Sequence, residues 1–254
     1  MNIEIIHEPT IEKPFLVIYK PKGLASAPLV EGDTENALAQ AIEKFPEIRG
    51  VHGKKEIEFG LLHRLDTATD GLMVIATSQK CYDFLNEEQK AGRFIKFYTA
   101  ECDILPDNSK ILGGFPHDTP SASSLQSITI TSYFRPYGEG RKEVRPVTEK
   151  SGKAALAKLG KPKLYTTEII IEKKNNTTAI AECRIIEGYR HQVRCHLAWS
   201  GFPVKGDTLY NSNYKENNSD IKKAENVLKF SATKISFEYP RGDLNSYDRK
   251  DTWT

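Results

Sequence analysis

The stretch L-H-R-L-D-T-A-T-D-G at 62–71 places His63, Arg64 and Asp66 directly before the apolar run Leu72-Met73-Val74-Ile75-Ala76. That run has the length and composition of a strand buried on both faces, so the charges stand at the rim of a core, where an unpaired charge is costly. A second cluster, G-Y-R-H-Q-V-R-C-H at 188–196, leads into G-F-P-V-K-G-D at 201–207. On a helix, Arg190 and Arg194 would share one face, as would Gln192 and His196. Three histidines in two clusters invite a metal, but His191 and His196 are five apart and stand beside two arginines, whose charge repels a cation. No metal site is expected, and the histidines read as structural.

A nucleophilic aspartate makes better physical sense of the same residues. A guanidinium at contact distance can hold a carboxylate ionised and oriented through two hydrogen bonds. At an effective dielectric near 20 such a contact is worth ~4 kcal/mol before desolvation is set against it. Ionised, Asp66 could attack an electrophilic carbon. Equally, Asp66 could form a buried ion pair or cap a turn with Thr67 and Thr69. Residue chemistry alone leaves these readings level.

The elements that must position these groups are partly legible. Phe15 to Tyr19 reads as a strand stopped by Lys20-Pro21-Lys22-Gly23. Asp33 or Thr34 is expected to cap a helix running to Lys44, and Ser78 to cap one running to Lys90 that ends at Gly92. Phe94 to Cys102 and Ile128 to Phe134 read as strands, with loop over 104–127. Residues 166–172 and 178–186 read as a hairpin turning at Asn175-Asn176. Val193 and Leu197, four apart and followed by Gly201, signal a short helix over 190–200. A polar loop over 211–226 and a last strand near 234–239 follow.

At 254 residues, with 39% hydrophobic and 28% charged side chains, the chain has the profile of an ordinary globular protein with a substantial core. Its N-terminal residues lack signal-peptide features, and no apolar run approaches the roughly 20 residues needed to span a bilayer. Cys81, Cys102, Cys183 and Cys195 are scattered. A cytoplasmic location without membrane association is therefore expected. The net charge is only +2, but Gly138 to Lys163 holds eight Lys or Arg against three Glu, a local surplus of five. This segment is read as an irregular connection, either simply solvated or in contact with RNA phosphates.

The motifs taken together resemble the RNA pseudouridine synthases of the RluA type. Y-K-P-K-G-L at 19–24 is similar to the family's K-P-x-G-L, and H-R-L-D-T-A-T-D-G-L-M-V-I-A at 63–76 to its H-R-L-D-x-x-T-S-G-L-x-x-x-A. K-F-Y-T-A at 96–100 resembles its tyrosine strand. H-Q-V-R-C-H-L at 191–197 and G-F-P-V-K-G-D-T-L-Y at 201–210 resemble H-Q-I-R-x-H-L and G-x-P-I-x-G-D-x-x-Y. A-T-K-I-S-F-E-Y-P at 232–240 resembles the usual final strand. The likeness covers roughly residues 14–242.

The resemblance implies an α+β pseudouridine-synthase fold: a bent, mainly antiparallel mixed sheet flanked by helices, with two lobes around a central cleft. It implies one catalytic domain over 1–254, with 138–163 as a basic insertion and no separate N-terminal RNA-binding domain. The activity implied is isomerisation of uridine to pseudouridine in ribosomal RNA or tRNA, by a monomer without a cofactor. Asp66 would be the nucleophile, Tyr98 the active-site tyrosine and Arg194 the partner of Asp66. Arg64 would help displace the flipped uridine. Lys20 and Pro21 would shape the pocket rim, Val193 and Leu197 would line it, and Arg190, His191 and Gln192 would complete the RNA-binding surface. Two departures stand out: Asp70 replaces the serine of T-S-G, and Tyr189 follows Gly188 where arginine is expected. Asp70 could shift the local electrostatics or point outward, and Tyr189 is expected to alter an RNA contact. An alternative is an RNA-binding or ribosome-assembly protein that keeps the fold but has lost turnover through Asp70. A third is a metal-free hydrolase of glycosidic bonds using Asp66 with Glu58 or Asp70.

Overall fold

The computed structural model describes residues 1–105, 112–120, 127–159, 163–214 and 227–249. Their order is β1 (Glu4–His7), β2 (Phe15–Lys20), α1 (Ala37–Lys44), β3 (Asp70–Ala76), α2 (Gln79–Lys90), β4 (Ile95–Asp103), β5 (Ser127–Tyr137), β6 (Glu143–Val147), α3 (Lys153–Leu156), β7 (Tyr165–Lys173), β8 (Thr178–Ile185), α4 (Gln192–Trp199), β9 (Phe230–Glu238) and β10 (Leu244–Asp248). The architecture is α+β, with mixed and mainly antiparallel strand pairing. Two compact units divide the chain, residues 1–97 with 231–254 and residues 98–230. Among the described residues no helix is long and apolar enough to cross a membrane.

In the first unit β3 is buried along its whole length, as its unbroken apolar run requires. It pairs antiparallel with β2 from Phe15↔Ala76 to Lys20↔Gly71, and parallel with β9 at Asp70↔Ser231 and Gly71↔Ala232. Phe15, Val17, Leu72, Val74, Ile235 and Phe237 build one core face, onto which α2 lays Cys81, Tyr82 and Leu85. Each fully buried large apolar side chain contributes about 1.5–3 kcal/mol. Helix α2 is capped as expected, the Cys81 N–H donating to Ser78 Oγ at 3.3 Å. Helix α1 is not: its cap is Asn36, whose Oδ1 accepts the Ala39 N–H at 2.9 Å. Asp33 is engaged earlier, closing a turn by accepting the N–H groups of Leu29 and Glu35. The last strand begins four residues before its expected start, and β10, too short to stand out in the sequence, adds to it antiparallel.

In the second unit the expected hairpin is present, β7 pairing with β8 from Glu168↔Arg184 to Lys173↔Ala179. Strand β5 pairs with β7 on one side and β6 on the other. The basic segment is therefore not an irregular connection, since it contains β6 and α3. Nor is all its charge solvated. Arg145, 1% exposed, donates from Nε to Gly113 O at 2.9 Å, from Nη1 to Val144 O at 2.9 Å and from Nη2 to Glu143 Oε2 at 2.6 Å. The rings of Phe115, Tyr137 and Tyr210 surround its guanidinium. Lys161 and most of the polar 211–226 loop lie outside the described residues, as does part of the 104–127 loop.

Candidate active site

Lys20, Pro21, Arg64 and Asp66 belong to the first unit, Tyr98 and residues 190–197 to the second. In the first, Asp66 sits in a turn closed by the Thr69 N–H donating to Asp66 O at 3.0 Å. The Y-K-P-K-G-L segment braces that turn: Thr67 O accepts the Gly23 N–H at 2.8 Å and Lys20 Nζ at 3.4 Å. Lys20 is fully buried and also donates to Leu24 O at 2.7 Å and Pro21 O at 2.9 Å. Burial pushes its ammonium down to about 8, and the negative charges of Asp70 and Asp66 oppose that fall. Lys20 holds the turn that carries Asp66 through its bond to Thr67 O.

The rest of the motif divides sharply by position. Arg64 is exposed and pairs with Glu58 at 3.0 Å, while Lys55 stands 3.3 Å from the same oxygen. His63 Nε2 accepts the Val74 N–H at 3.3 Å, and its ring meets Phe94 edge-on. Burial, reinforced by Lys96 and Lys54, pushes His63 down to about 3, so it is a neutral structural residue that ties the motif to β3. Asp70 does not point outward. It is 6% exposed and binds Tyr19, Ser231 and Lys22.

In the second unit every residue of α4 is buried. Arg194 donates from Nε to Asp207 Oδ2 and from Nη2 to Asp207 Oδ1, each at 2.8 Å, in a bidentate pair. Asp207 was not singled out from the sequence, although it lies in the G-D of the 201–210 motif. His196 joins Ser132 Oγ at 2.9 Å and Thr167 Oγ1 at 2.8 Å, and burial pushes its pKa down to about 3. Gln192 donates to Thr166 O at 3.0 Å and Thr167 Oγ1 at 3.1 Å, while accepting the Tyr189 N–H at 2.9 Å. Gln192 and His196 thus share a face and converge on Thr167.

Arg190 and Arg194 do not share a helix face, because α4 starts after Arg190. Arg190 is exposed and donates to Arg141 O at 2.6 Å and Glu143 O at 3.2 Å, joining the motif to the basic segment. His191 precedes the helix in the left-handed region with φ 56°, its Nδ1 3.0 Å from the Tyr210 hydroxyl. That hydroxyl also accepts the Val144 N–H at 2.8 Å. Tyr189 stacks on Phe134 at 5.0 Å and packs beside Tyr165, filling a core gap. Tyr98, 8% exposed, stacks on Phe230 at 5.2 Å with the rings nearly parallel. Val193 and Leu197 are buried. Among the described residues no three His, Cys, Asp or Glu side chains gather where they could hold a metal ion.

The family described as RNA pseudouridylate synthase matches residues 14–199. RNA pseudouridine synthase 7 of Arabidopsis thaliana is 28% identical over 156 residues, 61% of this chain and 34% of that protein. An uncharacterised RNA pseudouridine synthase of Aquifex aeolicus is 32% identical over 211 residues, 82% of this chain and 56% of that one. The chain spans between about one fifth and three fifths of the length of the curated relatives it matches. The solved structure of human RNA pseudouridylate synthase domain containing 1 has the same fold, with a TM-score of 0.65 and 18% identity over all of this chain and 85% of that one.

Proposed function

The chain belongs to the RNA pseudouridylate synthase family, of RluA type, and from that premise we propose that it isomerises uridines of a structured RNA, ribosomal RNA or tRNA, to pseudouridine with Asp66 as nucleophile. The observation that carries this reading is the extent of the family match, which includes Lys20, Asp66, Tyr98 and Arg194 alike. In the reaction the bond from ring nitrogen 1 to the ribose anomeric carbon breaks, and a bond from ring carbon 5 to that carbon forms. The hydrogen on carbon 5 leaves as a proton while nitrogen 1 gains one, so atoms and electrons balance without a redox partner.

Each residue has a defined part. Asp66 must be ionised to attack, and its charge, with that of Asp70, opposes the loss of charge at the buried Lys20. Leaving the stack costs the target base roughly a few kcal/mol. The exposed Arg64 guanidinium fills the vacated space, and the Tyr98 ring, backed by Phe230, receives the base. Arg194, fixed by Asp207, is the guanidinium assigned to the Asp66 carboxylate. Arg141 and Lys142, both exposed, follow the RNA phosphates.

The test is conversion of uridine by the purified protein, read by pseudouridine-specific chemical mapping of ribosomal RNA and tRNA. Wild type is expected to create pseudouridine at discrete positions and Asp66→Asn to create none. Undiminished conversion by Asp66→Asn would refute the nucleophile assignment, and the positions modified identify the substrate class.

A further inference from the structure

Asp70 is where this chain departs from the motif it resembles, and its surroundings assign it a task. Strand β3 sets Leu72 opposite Tyr19 and Asp70 opposite Ser231, so Tyr19, Asp70 and Ser231 lie on one face as diagonal and direct neighbours. Asp70 Oδ2 accepts the Tyr19 hydroxyl, Oδ1 accepts Ser231 Oγ at 2.5 Å, and Lys22 Nζ lies 3.5 Å from Oδ1. A carboxylate at the end of an apolar face needs such partners. A serine oxygen could accept from two hydroxyls but carries no charge to balance the Lys22 ammonium. The opposite side of the same turn is held by Lys20 and Gly23 on Thr67 O.

We infer that Asp70 is a positioning residue for Asp66, its carboxylate clamping the end of the 66–70 turn to β2 and β9 while Lys20 clamps the middle. The inference rests on the reading of Asp66 as nucleophile. It carries an electrostatic corollary, because Asp70 and Asp66 are the two carboxylates that oppose the loss of charge at Lys20. The other charged groups around this network are Lys22 on Asp70 and, at Tyr19, Arg249 with its ion-pair partner Glu4. Burial and the Asp70 hydrogen bond raise the Tyr19 phenol, which stays a donor throughout the working range.

The experiment compares wild type, Asp66→Asn, Asp70→Asn, Tyr19→Phe and the Asp70→Asn/Tyr19→Phe double variant in kcat, KM and pH dependence of uridine conversion, with thermal melts as a fold control. Each of the Asp70 and Tyr19 single changes is expected to lower kcat roughly tenfold with KM nearly constant, the scale on which neighbours in one network couple. The double variant should be little worse than Asp70→Asn alone, because Tyr19→Phe removes only the Tyr19 contact of the carboxylate that Asp70→Asn already disrupts. In Asp70→Asn the loss of activity at high pH should begin at lower pH, since Lys20 loses one of the charges that hold it protonated. Tyr19→Phe removes a single hydroxyl from a packed ring, so it reports on the clamp if Asp70→Asn does not fold. Unchanged kcat, multiplicative effects in the double variant, or an unmoved alkaline limb would overturn the inference. Wild type that makes no pseudouridine, or Asp66→Asn that makes as much, would instead overturn the nucleophile reading, and this one with it.

Discussion

Replacing Asp207 by Asn strikes the buried pair that holds Arg194. The Asp207 side chain is fully buried and that of Arg194 is 6% exposed. Besides the two guanidinium contacts, Asp207 Oδ1 accepts the N–H groups of Leu209 at 3.0 Å and Tyr210 at 3.1 Å. Asparagine has the same shape and an oxygen that can keep those two main-chain bonds, so the change isolates the charge and half of the fork. Removing one partner of a buried ion pair costs about 3–5 kcal/mol, and the retained bonds place this variant near the lower end. For a chain of this size each kcal/mol lowers the melting temperature by roughly 2–4 °C, giving a fall of about 6–12 °C. Circular-dichroism melts at pH 7.5 read that fall, and conversion assays well below the variant's melting temperature read the loss of guanidinium orientation. A melting temperature within about 2 °C of wild type together with full activity would refute the claim that Asp207 sets Arg194.

Other changes test the remaining contacts. His196 binds a proton at about 3 when folded but at 6.5 when unfolded, so its contribution to stability is complete above pH 6.5 and is lost as pH falls towards 3. At pH 5 that loss is about 2 kcal/mol, and His196→Gln should reduce the fall in melting temperature between pH 7.5 and 5 by roughly 4–8 °C. Gly71→Ala would drive a Cβ into Ala232 O at φ +133°, where β3 meets β9. It should lose at least ~2 kcal/mol in thermal melts, and a neutral result would contradict that close approach. Charge neutralisation of Arg141 and Lys142 together should flatten the salt dependence of RNA binding by roughly 1.4 in log–log slope, and an unchanged slope would remove both from the phosphate path.

What the sequence disclosed followed from periodicity and local chemistry. The β7–β8 hairpin and helix α2 with its Ser78 cap satisfy their hydrogen bonds nearby in the chain, and strand β3, whose partners β2 and β9 are distant, was legible from its unbroken apolar run. Helix α4 was legible only in part. Gln192, Arg194 and His196 are polar and would be expected at the surface, yet all are buried because partners lie 25, 13 and 64 residues away, at Thr167, Asp207 and Ser132. Arg145 was hidden for the same reason: its acceptors include Gly113 O, 32 residues distant, and a surplus of positive charge does not show which cation is buried. Strand β6 also contains Pro146, which weakens its strand pattern. The 63–76 motif gave Asp66 as a candidate and singled out Asp70, but only the register of β3 against β2 and β9 shows that Asp70 turns inward to Tyr19 and Ser231.

Under the proposed function Asp66 drives replacement of the nitrogen-linked by the carbon-linked glycosidic bond. RNA carrying tritium on ring carbon 5 of uridine tests it directly, because forming the new bond at that carbon must release the label to water. Wild type should release tritium in step with pseudouridine formed, without free uracil, and Asp66→Asn should release none. No release by wild type, or equal release by Asp66→Asn, would contradict that role for Asp66.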